Sequence, residues 1–181
     1  MKTKAEIRAK LRDQVAAMSV EDKTAESRVL CERLLKDPTV TSAPSIGVYL
    51  PLRDEPDLRT MIQEFLKKGL TVALPFLKED DSWGFFEITT LKPDTTGPWN
   101  LGFPPRGREI SAKELAVILV PGRGFTQNGD RIGRGKGIYD RLLADTPTHK
   151  IGVAFSCQMV DQLPRDEHDV QMDGVVRSSR S

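Results

Sequence analysis

Apolar residues at three- and four-residue spacing open the chain: Ile7, Leu11, Val15 and Met18 fall on one helical face. The spacing predicts a helix over residues 4–18. Ser19 then reads as an N-cap, with Asp22 three residues on in the capping-box position. A second helix is expected over residues 20–36, with Val29, Leu30, Leu34 and Leu35 turned inward and Pro38 as its stop. Acids alternate with bases along both helices, which marks solvated amphipathic faces rather than a nucleic-acid arm. The rhythm then changes. Short apolar runs at 45–50, 70–74, 115–120 and 150–155 predict strands, the first three stopped by Pro51, Pro75 and Pro121. Residues 83–88 predict a further strand at an edge, and 174–176 a last one. Helical patterns lie at 58–68 and 138–144, and residues 91–109, rich in Pro and Gly, read as a long loop.

Strands alternating with helices imply β-α-β units. The expected fold is α/β, a single domain over residues 1–181 with an open, mostly parallel sheet, helices on both faces and an N-terminal helical pair. Ligands in such sheets sit beyond the carboxyl ends of the strands. Those ends carry residues 51–55, 75–76, 121–125 and 155–158, so several candidate segments converge on one edge.

Composition changes this picture little. The 181 residues carry a net charge of +1, so any basic site must be local. Cys31 and Cys157 have no C-x-x-C partners and do not suggest a disulfide scaffold or a zinc site. The charged N-terminus lacks an apolar signal region, and no run approaches about 18 apolar residues. A cytoplasmic globular protein is expected, acting as a monomer without membrane or nucleic-acid partners.

The stretch GDRIGRGKGIYD, residues 129–140, is the densest candidate chemistry. It fails as a Walker A loop, because Asp130 stands where the first glycine belongs and Gly137 follows Lys136. It fails as a dinucleotide fingerprint, because its glycines alternate and lie well after the nearest strand. Alternate glycines nevertheless let backbone N–H groups approach an anion. Arg131, Arg134 and Lys136 add cationic donors, and Gly137 is placed to open a helix. Asp140 reads equally as an ion-pair partner or as a carboxylate holding Mg²⁺ for a nucleotide. A polyphosphate site, a basic nucleic-acid loop and a structural turn all remain open on these grounds.

The longer stretch VPGRGFTQNGDRIGRGKGIYDRLL, residues 120–143, closely resembles the signature of the 5-formyltetrahydrofolate cyclo-ligase family, also called 5,10-methenyltetrahydrofolate synthetases. KAEIRAKLRDQVAAMS, GVYLPLRDEPDLRTMI, WNLGFPP and PRDEHDVQMDGVV resemble further family segments in the same order, over nearly the whole chain. The resemblance implies an ATP- and Mg²⁺-dependent enzyme. ATP phosphorylates the formyl oxygen of 5-formyltetrahydrofolate, N10 of the same folate attacks the iminophosphate, and 5,10-methenyltetrahydrofolate, ADP and phosphate result. It implies that Lys4, Arg8 and the run Arg131, Ile132, Gly133, Arg134, Gly135, Lys136, Gly137, Ile138 and Tyr139 bind ATP, with Arg134 and Lys136 catalytic. It further implies that Leu50, Glu55, Trp99 and the segment 134–138 bind the folate, with Leu50 an apolar wall and Glu55 an acceptor for pterin N–H donors. Asp140 and Asp169 match metal ligands, while His149 and His168 receive no role.

Two positions depart from the family pattern. Ile138 stands where many relatives have an aromatic residue and can neither stack on a pterin nor donate a hydroxyl hydrogen bond. Arg123 stands where an apolar residue is usual, adding charge near a strand end. A non-catalytic folate or nucleotide binder is the alternative that Ile138 favours. An RNA-binding module is a third reading, opposed by the balanced charge and the lack of an aromatic platform near the loop.

Overall fold

The computed structural model describes residues 3–92, 104 and 106–178. Its helices are α1 (Lys4–Ala16), α2 (Val20–Leu34), α3 (Pro38–Thr41), α4 (Arg59–Lys67) and α5 (Ile138–Leu143). Its strands are β1 (Ser45–Gly47), β2 (Thr71–Leu77), β3 (Trp83–Ile88), β4 (Glu109–Ile110), β5 (Val117–Val120), β6 (Gly124–Phe125), β7 (Arg131–Ile132), β8 (His149–Ala154) and β9 (Gly174–Arg177). Seven strands form one sheet in the order β4-β3-β2-β1-β5-β8-β9. The β2–β1–β5–β8–β9 part is parallel and the β2–β3–β4 part antiparallel. The strand order reverses direction between β1 and β5, which is where an open α/β sheet forms its ligand crevice.

Alternation along the parallel strands sends apolar side chains to both faces. Ile46, Val48, Val72, Leu74, Val117, Leu119, Ile151 and Val153 pack under α2, α3 and α4 through Leu30, Leu34, Val40, Met61, Ile62 and Phe65. Ala73, Ile118, Val120 and Ala154 face the other way, onto Phe85, Phe125, Leu143 and Met172. Both faces are therefore covered, though unequally. Longer helices cover one, whereas the short α5, the β6–β7 hairpin and loops cover the other. Among the described residues no helix is long and apolar enough to cross a membrane.

Several local expectations need correction. Pro38 starts α3 instead of stopping α2. Asp37 accepts N–H bonds from Thr39 and Val40, and a proline in the first turn gives up no helical hydrogen bond. Pro75 does not end β2, which runs on to Leu77. The Val48 N–H donates to the Ala73 carbonyl, so Ala73 faces β1, and by alternation so does the nitrogen of Pro75. The β1 ladder has ended there, and the missing donor costs nothing. β3 lies inside the sheet, because β4 emerges from the expected loop to form the edge. On α2, Val29 is only half-buried, while Glu26 and Ser27 are buried. Glu26 accepts from the Ser156 N–H and hydroxyl, both at 2.8 Å, and Ser27 Oγ accepts the Asp57 N–H at 2.9 Å.

Candidate active site

The carboxyl ends of β1, β2 and β5 open into a single cleft of about 1520 Å³. Common small-molecule sites span roughly 300–1,000 Å³, so two ligands can lie here side by side. One end is cationic, formed by Lys4 and Arg8 of α1, the loop from Arg131 to Asp140, and the segment carrying Asp166, His168 and Asp169. The other is largely apolar, with Leu50, Leu52, Leu74, Phe76 and Trp83 on its walls and Glu55 between the two ends. Every described residue to which the family resemblance gave a ligand or metal role lines this cleft. Trp99 lies outside the described residues.

The glycine loop is based on the β6–β7 hairpin, which the hydrophobic pattern did not reveal because each strand has only two residues. Phe125 is fully buried and seats the hairpin on the sheet. After β7 the chain turns through Gly135 (φ 98°) and Gly137 (φ 61°), both left-handed conformations that favour glycine. Gly137 caps α5 in that conformation. Gly133 serves differently: a side chain there would meet the Arg131 guanidinium at 2.8 Å.

The loop cations are not equivalent. Arg131 is buried and committed, donating to Asp140 Oδ1 at 2.9 Å and to the Pro121 carbonyl at 3.3 Å, with its guanidinium 5.7 Å from the Tyr139 ring centroid. Burial of Tyr139 pushes its phenol well above the usual range. Arg134 leans onto the first loop, donating from Nε to Glu55 Oε1 at 3.1 Å and pairing with Asp54. Lys136 is exposed to the cleft, and among the described residues no acid pairs with it. Arg8 Nε donates to the Gly133 carbonyl at 3.0 Å, tying α1 to the loop.

Glu55 is buried, and its Oε2 accepts the Leu52 N–H at 3.0 Å, which fixes the carboxylate toward the cleft. Asp54 is partly desolvated, which opposes its charge. Hydrogen bonds from Arg134 and Arg123 outweigh that and hold its carboxyl below the usual range. A depressed folded-state value stabilises the fold above the unfolded value of about 3.9, and this stabilisation fades as pH falls through the folded one. Asp54→Asn is therefore expected to unfold more easily than the unaltered protein at pH 7. In acid titrations followed by denaturant unfolding, the two should converge as the pH falls through the lowered folded-state value of Asp54. A gap that persists there would show that charge is not the cause.

Asp169 does not stand with Asp140 alone, as the sequence suggested. Asp166, His168 and Asp169 place possible ligand atoms within 4.8 Å of one another. Asp140 sits beside them, its Oδ1 accepting the Val170 N–H at 3.4 Å. The Lys4 ammonium lies between the two carboxylates, 2.7 Å from Asp166 Oδ2 and paired with Asp169. A cation is thus already stabilised at this point. Carboxylate oxygens suit Mg²⁺, a hard cation, and the imidazole of His168 does not. Asp166 and His168 went unassigned in the sequence, although the alternation of acids around a histidine in RDEHD was a visible signal.

Residues 155–158, expected at the site, support it from outside. Gln158 is buried and donates to the Gly122 carbonyl at 2.8 Å and the Arg123 carbonyl at 3.3 Å. Arg123 likewise does not line the cleft; it pairs with Asp54.

Known proteins share the sequence pattern and the fold. Residues 1–178 match the model of the 5-formyltetrahydrofolate cyclo-ligase family. A 5-formyltetrahydrofolate cyclo-ligase of Mus musculus is 30% identical over 94% of this chain and 91% of its own. One from Escherichia coli K12 is 28% identical over 94% and 97%. The solved structure of the 5,10-methenyltetrahydrofolate synthetase of Aquifex aeolicus superposes with a TM-score of 0.85, at 29% identity, over 98% of this chain and 90% of that one. The match of family model, relatives and fold over nearly the full length shows that this chain belongs to the 5-formyltetrahydrofolate cyclo-ligase family.

Proposed function

We propose that the protein catalyses the ATP- and Mg²⁺-dependent cyclisation of 5-formyltetrahydrofolate to 5,10-methenyltetrahydrofolate, releasing ADP and phosphate. The observation that carries this reading is the division of one cleft. Its cationic end presents Arg8 and Lys136, the latter with no acid partner among the described residues, and its apolar end presents the buried, oriented carboxylate of Glu55.

In this reading Leu50 and Ile138 flank the pterin, and Glu55 accepts its N–H donors. The formyl oxygen then points toward the glycine loop. The triphosphate lies over residues 131–139, with Lys4 and Arg8 reaching it from one face of α1. The formyl oxygen attacks the γ-phosphorus and ADP leaves. Lys136 and Arg134 stabilise the charge on the transferring phosphoryl oxygens. N10 attacks the activated formyl carbon, and the C–O bond breaks with departure of phosphate, which carries away the N10 proton. Ring closure is intramolecular, so the walls that hold pterin and formyl group in register supply much of the acceleration. Asp140 and Asp169 are the proposed holders of Mg²⁺, with Lys4 moving from Asp169 to a phosphate. When bound, the ion neutralises phosphate charge during transfer.

The test is stoichiometry. One ADP should form for each methenyl product, and none without the folate. ADP formation without product, or product without ADP, would contradict the phosphoryl-transfer route. A folded protein that binds both ligands without turnover would favour the non-catalytic binder, to which the apolar Ile138 wall is suited. Asp140→Asn should in addition raise the Mg²⁺ concentration needed for half-maximal rate, and it should lower the thermal midpoint because the buried Arg131 loses its counter-ion. An unaltered metal titration would remove Asp140 from the metal site.

A further inference from the structure

Arg134 is the hinge of a four-residue charge relay that links the folate and nucleotide ends of the cleft. Asp54 gives one oxygen to each of two guanidinium groups, Oδ1 to Arg134 Nη2 and Oδ2 to Arg123 Nη1. Arg134 also reaches Glu55 Oε1, from Nε at 3.1 Å and from Nη2 at 3.0 Å. Two cations and two acids therefore neutralise one another, largely shielded from water: the side chains of Glu55, Arg123, Asp54 and Arg134 are 7%, 15%, 25% and 33% exposed. Arg123 is held from behind. Its N–H donates to the Ile132 carbonyl at 2.7 Å, and its carbonyl accepts from Gln158. Among the described residues its side chain pairs with Asp54 alone, and it reaches the site through that carboxylate.

The relay has a consequence for binding, which rests on the function proposed above. Glu55 cannot keep both Arg134 bonds and also accept N–H donors from a pterin on the same oxygen. A folate seated at Glu55 must loosen Arg134, whose donors then need an acceptor. A guanidinium carries five N–H donors in a planar fork, and two oxygens of a phosphate accept from it in a matching pair. Asp54 opposes the move, but its attraction is divided between two cations. We infer that Asp54 and Arg123 are positioning residues that poise Arg134 between Glu55 and the phosphates, so that folate binding releases it toward the nucleotide and each substrate tightens the binding of the other.

Two substitutions should act with opposite signs. Arg123→Met leaves Asp54 to pair with Arg134 alone, holding it away from phosphate, so nucleotide binding without folate should weaken. Asp54→Asn removes the opposing charge, so nucleotide binding without folate should strengthen and depend less on folate. A purely structural role for either residue would weaken binding in both variants.

The experiment is calorimetric titration of the full chain with Mg²⁺ and the β,γ-imido analogue of ATP, with and without saturating 5-formyltetrahydrofolate. Coupling between sites is typically about 5–150-fold. The unaltered protein is expected to bind the analogue at least about 5-fold more tightly with the folate present. The reciprocal titration should give the same factor. Arg123→Gln serves as a second variant should Arg123→Met not fold. An analogue affinity that ignores the folate, or variants that shift it in the same direction, would overturn the inference. An unaltered enzyme that turns over yet shows no coupling would overturn this inference alone. A protein that binds neither ligand would overturn the proposed function as well.

Discussion

Lys136→Ala is expected to lower turnover by about 10²- to 10³-fold, the scale for removing one preorganised charge-stabilising contact. The structure singles this residue out among the three loop cations. Arg131 is committed to Asp140, and Arg134 is shared between Asp54 and Glu55. Lys136 faces the cleft with no acid partner among the described residues. An ammonium without a counter-ion is ready for an arriving phosphate, and its attraction grows as charge moves onto the transferred oxygens. Because nothing in the fold relies on it, the thermal midpoint should not move. The fall should appear chiefly in kcat, with little change in KM for the folate. Lys136→Arg should retain part of the rate, since the charge remains and only its compact geometry is lost. A well-folded Lys136→Ala protein with normal turnover would remove Lys136 from the mechanism.

Phe125→Ala should cost about 3–5 kcal/mol of stability, the usual range for a fully buried aromatic. The ring is seated on two glycines. A side chain at Gly152 would come within 2.6 Å of it, and one at Gly122 within 2.7 Å. It also pins the hairpin: the Phe125 carbonyl accepts the Val160 N–H at 2.9 Å, and Phe125 pairs with Arg131 across β6 and β7. Its removal should loosen the base of the glycine loop as well as the core, so KM for ATP should rise in whatever fraction stays folded. Denaturant unfolding measures the first effect and initial-rate kinetics the second. A loss below about 1 kcal/mol would mean that the neighbouring side chains collapse into the space.

The parallel strands and main helices were legible because their apolar runs match their periods. Residues 117–120 are four consecutive buried positions, as a strand covered on both faces requires. The two prolines misled because a proline reports only its own missing N–H. Whether that donor is needed depends on register at Pro75 and on helix position at Pro38, and neither is local information. The hairpin under the loop stayed hidden because two-residue strands carry no measurable alternation.

The site was legible as a set of residue types and much less as a set of partnerships. Lys4, Arg8, Arg134 and Asp169 all reach the cleft, yet each is bound to a residue distant in the sequence. Asp54 lay next to Glu55 in plain view, but its role depends on Arg123 and Arg134, 69 and 80 positions away. From the sequence, Arg123 is only an added charge near a strand end. The structure makes it a fixed counter-ion instead.

The most direct test of the account mixes the purified protein with 5-formyltetrahydrofolate, ATP and Mg²⁺ and follows the near-ultraviolet absorbance of the methenyl product. The expected result is a rise that requires protein, folate, nucleotide and metal together, and that slows by about 10²- to 10³-fold in Lys136→Ala. No rise from a folded protein that still binds the ATP analogue would contradict it.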